Sequence, residues 1–122
     1  MRRKLSKLAL VGVPEHLVER LKLVAQREGI DLLTVYEDMV FSTVEQTDHF
    51  NAVIVGPGQL KNPATVLSGL NEMLVPVFLV TPGGKAPQHL DPATLGIYTL
   101  SHRDVIGQPI TVLGLIGDSI WD

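Results

Sequence analysis

Near the middle of the chain, Asn51-Ala-Val-Ile-Val-Gly-Pro-Gly58 runs from an unbroken apolar stretch straight into a glycine-proline-glycine turn. Val77-Phe-Leu-Val-Thr-Pro-Gly-Gly84 repeats the arrangement. Short apolar runs without polar alternation, bounded by turn residues, are strands buried on both faces, which is the condition of a parallel sheet covered by helices. In such folds the loops that leave the strand ends carry the functional groups. Here almost nothing ionisable follows the strands, and glycine closes the first run.

The rest of the chain supplies the crossovers that a parallel sheet needs. Lys7 to Val13 reads as the first strand, and Pro14 suits the first turn of a helix because its missing N–H has no partner there. Leu17, Val18, Leu21, Val24 and Ala25 then form one stripe at helical spacing, with Glu15 and Glu19 at the positive end and Gly29 as the stop. Ile30 to Tyr36 is a second strand, and Asp38 caps a short helix with Met39, Val40, Phe41 and Val44 on its face. Asn62 and Pro63 open a third helix carrying Val66, Leu67, Leu70, Met73 and Leu74. Val75 to Thr81 is the fourth strand. Pro82, Pro87 and Pro92 leave room for a loop or one helical turn, not a regular fourth helix. Gly96 to Leu100 is the fifth strand, and Asp104 or Gln108 opens a last apolar segment. Strand and helix alternate throughout, so the expected fold is a single α/β domain over residues 1–122. Its sheet is five-stranded, parallel and flavodoxin-like in order 2-1-3-4-5, with helix four short or missing.

Composition narrows the function. At 122 residues, 45% apolar and 19% charged, the chain suits one globular core. With no cysteine it has no disulfide and no thiolate chemistry. A net charge of −3 gives no broad attraction to nucleic acid, although Arg2, Arg3, Lys4 and Lys7 make the start locally basic. The apolar run Leu8 to Val13 is too short for a leader or a membrane span and is closed by Pro14 and Glu15. The expected protein is soluble and cytoplasmic, with no nucleic-acid or membrane partner.

In the order 2-1-3-4-5 the strand order reverses between strands one and three, and a ligand crevice opens at their carboxyl ends. That places Gly12, Val13, Glu15, Gly56, Gly58, Thr81 and His102 around one candidate site for an anion or a nucleotide. Gly56-Pro-Gly-Gln-Leu-Lys61 lacks the third glycine of a dinucleotide fingerprint, and Gly84-Lys85 lacks the P-loop spacing. Pro57 and Pro82 also remove N–H donors. The four histidines, His16, His49, His89 and His102, are too scattered for a local metal motif. His16 and His102, with Glu15, Ser101 and Asp104, form the one acid-base grouping the topology can assemble, and no nucleophile elbow accompanies it. The reading is a chain without catalytic residues, metal or cofactor.

The lengths and strand-end landmarks resemble a response-regulator receiver domain. In that family an acidic pair follows strand one, an aspartate ends strand three, a Thr or Ser ends strand four and a lysine ends strand five. This chain has Gly12-Val13, Gly56, Thr81 and Ser101-His102 at those places, with Tyr98 where the family has its aromatic switch. The resemblance therefore implies a degenerate, non-phosphorylatable receiver working as a protein-interaction or regulatory module. Residues 62–122 hold two Lys or Arg and five Asp or Glu, against eight and eight in residues 1–61. Receiver-like pairing through the last helices then implies self-association, or contact with another protein, through Ile110, Leu113, Ile116, Ile120 and Trp121.

Overall fold

The computed structural model describes residues 6–46, 50–84 and 98–119. Five strands, β1 (Lys7–Val11), β2 (Asp31–Val35), β3 (Ala52–Val55), β4 (Val77–Thr81) and β5 (Tyr98–Ser101), form one sheet. Their order is β2-β1-β3-β4-β5 and every pair is parallel, the arrangement expected from the sequence. The central strands β3 and β4 are buried along their whole length, which is why they carry no polar alternation.

Helices cover both faces. α1 (Glu15–Arg27), α4 (His102–Gly107) and α5 (Pro109–Ser119) share one core cluster with Leu8, Leu10, Ile54, Phe78 and Leu100. α2 (Val40–Gln46) and α3 (Pro63–Glu72) lie over Ala9, Val11, Val53, Val55 and Leu79 on the other. Among the described residues no helix is long and apolar enough to cross a membrane. The expected loop or short helix after Pro82-Gly-Gly, the start of strand five at Gly96, and Ile120 and Trp121 lie outside the described residues, in whole or in part.

Several boundaries move, each for a local reason. β1 stops at Val11 because Gly12 takes a left-handed φ of +68° and turns the chain toward α1. Pro14 caps α1 instead of starting it, its carbonyl accepting from the amides of Leu17 and Val18 at 3.0 and 3.1 Å. The last apolar segment is two helices, broken at Gln108-Pro109. That break corrects the assignment of Leu113 and Ile116 to an interface: they are 4% and 0% exposed and sit in the core beside α1. Only Ile110 of the described interface set is open, at 60%.

Leu74 is also reassigned. It follows α3 at φ 61°, the single positive φ outside glycine among the described residues, and is 89% exposed. The amides of Leu74 and Val75 reach back to the carbonyls of Asn71 and Leu70, a closing turn that usually places glycine where Leu74 stands. Leu74→Gly removes the left-handed strain and gives back part of the gain as unfolded-state entropy, so thermal unfolding should show a net stabilisation of about 0.5–1 kcal/mol.

Candidate functional site

The site grows from the way β1 and β3 end. The Gly56 amide donates to the Val11 carbonyl at 2.8 Å and draws the two exits together. A Cβ on Gly12 would lie 2.6 Å from the Gly56 carbonyl oxygen and 2.8 Å from Leu60 Cδ2. A Cβ on Gly56 would overlap the Gly12 carbonyl in return. The two loops pack backbone on backbone, which accounts for glycine at the end of the central strand: neither position has room for a side chain. Gly58, by contrast, faces open space.

Above this floor is a cavity of about 380 Å³ at the carboxyl edge of the sheet. Gly12 and Pro14 line it from the β1 exit, Gly56, Pro57, Gly58 and Gln59 from the β3 exit, Val80, Thr81 and Pro82 from β4, and His102 from the start of α4. Of the sequence-derived set, Gly12, Gly56, Gly58, Thr81 and His102 meet here. Val13 is turned into the core, and Glu15, exposed on the first turn of α1, is not part of the lining. Pro14, Pro57, Gln59, Val80 and Pro82 complete the wall. The prolines and glycines of that wall are visible in the sequence as turn residues, but nothing local marks Gln59 or Val80.

Two polar side chains define its chemistry. Thr81 is 4% exposed, and its Oγ1 has no hydrogen-bond partner among the described residues. A buried hydroxyl in that state carries a penalty of about 1–3 kcal/mol unless something in the cavity meets it. His102 lies edge-on to His16, ring centroids 6.2 Å apart at 78°. Burial of the ring, aided by the neighbouring His16, holds His102 below the usual histidine value. A shift in that direction favours the neutral ring, which offers one donor and one acceptor. Ser101, at the end of β5, has its hydroxyl engaged by the Asp104 amide at 3.0 Å as the cap of α4. Among the described residues no group of three or more His, Asp or Glu is placed to hold a metal ion.

Among the described residues, none that lines the cavity carries a formal charge. At the end of β2, where dinucleotide folds keep a ribose-binding carboxylate, stands Glu37, outside the cavity wall. Its two oxygens accept from the Lys61 and Asn62 amides at 2.8 Å each. Those backbone bonds hold its carboxyl below the ordinary glutamate value. Glu37 thus ties the end of β2 to the two residues that lead into α3, where the Asn62 side chain makes no capping bond.

No family model matches the sequence, and no curated protein matches it. Among solved structures, the chain is similar to the sugar isomerase domain of the RpiR transcription factor from Sphaerobacter thermophilus. The TM-score is 0.55 at 18% identity, over 98% of this chain and 70% of that one. This likeness replaces the resemblance to a degenerate receiver. Thr81 and Tyr98 stand at ends of strands that any sheet of this order possesses, so the receiver-like spacing reflects the architecture and not the family.

Proposed function

We propose that this chain is a regulatory module that binds a small hydroxylated molecule of the sugar class at the carboxyl edge of its sheet, without catalysing a reaction. The observation that carries the reading is Thr81 Oγ1, buried, unpartnered among the described residues and part of the cavity wall. A cavity of about 380 Å³ falls in the range of small-molecule sites, and a ligand hydroxyl is the group that satisfies a buried threonine. Neutral His102 and the Gln59 amide add donors and acceptors suited to further hydroxyls. The uncharged lining argues for a neutral body, while the N-terminal end of α1 at Pro14 gives the anion of a phosphorylated sugar a place to rest. The likeness to a sugar isomerase domain of a transcription factor supports the same ligand class and a regulatory role.

The test is thermal unfolding of the free protein against neutral sugars, phosphorylated sugars and nucleotides. Thr81→Val should raise the stability of the free protein by about 1 kcal/mol, because it removes the orphaned hydroxyl while keeping its shape. The same variant should weaken the stabilising sugar at least about tenfold, the loss expected when a buried hydrogen bond goes unmade. Gly58→Phe, whose new side chain starts in open space, should block the cavity without unfolding the chain. Silence across the sugars, or a sugar effect that survives both substitutions, refutes the reading.

A further inference from the structure

A second concavity, about 410 Å³, lies between α1 and the corner where α4 meets α5. Its walls include Arg20, Leu23 and Arg27 from α1 and Gln108, Pro109 and Ile110 from the corner. Leu23 and Ile110 are 62% and 60% exposed, so two large apolar side chains face solvent across one groove. The two arginines flank them. Arg20 is held in place, its Nε donating to the Ile106 carbonyl at 2.9 Å. Among the described residues no carboxylate lines the groove, in a chain whose net charge is −3.

We propose that this groove docks an acidic segment of a partner protein, one in which Asp or Glu residues flank a large apolar side chain. Guanidinium groups pair bidentately with carboxylates, and an apolar anchor between charged flanks fits a groove whose facing apolar sides are Leu23 and Ile110. The charge pattern disfavours a second copy of the chain as the occupant. A two-fold contact brings the same patch of both subunits together, which here sets arginine against arginine. The helix faces supplying the groove are those whose neighbours Leu113 and Ile116 belong to the core, so docking here leaves the fold intact.

A displayed library of random linear peptides, panned against the intact protein, supplies the probe. Recovered sequences should place Asp or Glu around Leu, Ile or Phe. Titrated as a labelled peptide, such a sequence should bind more weakly at raised salt, and at least about tenfold more weakly to Arg27→Glu and to Ile110→Ser. Both variants alter exposed positions, and circular dichroism checks their fold. Leu74→Gly, on the opposite face of the sheet, should leave binding unchanged. The proposal is overturned if panning yields no binder, if the binders lack acidic residues, or if both groove variants bind as the parent does. A dimer seen in sedimentation and abolished by Arg27→Glu would also overturn it, making a second copy the occupant.

Discussion

Gly56→Asp should leave no folded protein, seen as loss of the cooperative unfolding transition and of the native far-ultraviolet spectrum. The new Cβ would meet the Gly12 carbonyl, and backbone has no rotamer by which to move aside. Overpacking of this kind costs about 1–3 kcal/mol even where side chains can yield. The carboxylate adds the penalty of a buried charge without a partner, several kcal/mol more. Together these approach the whole stability of about 5–15 kcal/mol usual for a domain. Gly56→Ala isolates the steric part and should lower the melting temperature by about 10 °C, since each kcal/mol moves a chain of this size by about 4 °C. Gly58→Asp, only two residues on, should stay within about 0.5 kcal/mol of the parent because nothing occupies the space its side chain enters. A natively folded Gly56→Asp protein would refute the backbone interlock.

Ile116→Glu should be nearly as damaging, and Ile110→Glu harmless. The two residues lie on the same helix and look alike in sequence, but Ile116 is 0% exposed and packs in the cluster that joins α1, α4 and α5, whereas Ile110 is 60% exposed. Truncation by Ile116→Ala should cost about 2–5 kcal/mol in urea unfolding. Burying a glutamate there should exceed that, whereas Ile110→Glu should change stability by less than about 0.5 kcal/mol. Equal tolerance of glutamate at both positions would mean that α5 does not pack as described.

These two cases also mark what the sequence makes legible. Strand positions and their order follow from unbroken apolar runs separated by helical periodicity, and they are found as expected. The meeting of His16 with His102 follows from topology alone, because parallel strands deliver the loops after β1 and β5 to the same edge. By contrast, the reason for Gly56 lies in Gly12, far earlier in the chain, and no local pattern connects them. Glu37 is equally hidden: it holds the Lys61 and Asn62 amides across the intervening α2 and β3, while Asn62 carries the expected capping signal and makes no capping bond. The apolar surplus of α5 suggests a surface because too many angles of one helix are hydrophobic. The break at Pro109 and the packing of α1 against both resulting helices absorb most of that surplus. Leu74 belongs to the α3 stripe by spacing, yet its left-handed turn swings it into solvent.

The bond between Arg20 Nε and the Ile106 carbonyl joins two helices that begin at the same place. Pro14, which caps α1, and His102, the first residue of α4, both stand in the wall of the carboxyl-edge cavity, and the far ends of the two helices line the arginine groove. A molecule that altered the spacing of the two N-termini would tilt both rods about a shared tether. Over the 13 residues of α1 that motion travels about 20 Å. The cavity proposed to bind a sugar and the groove proposed to dock a partner would then be linked through one tethered pair of helices.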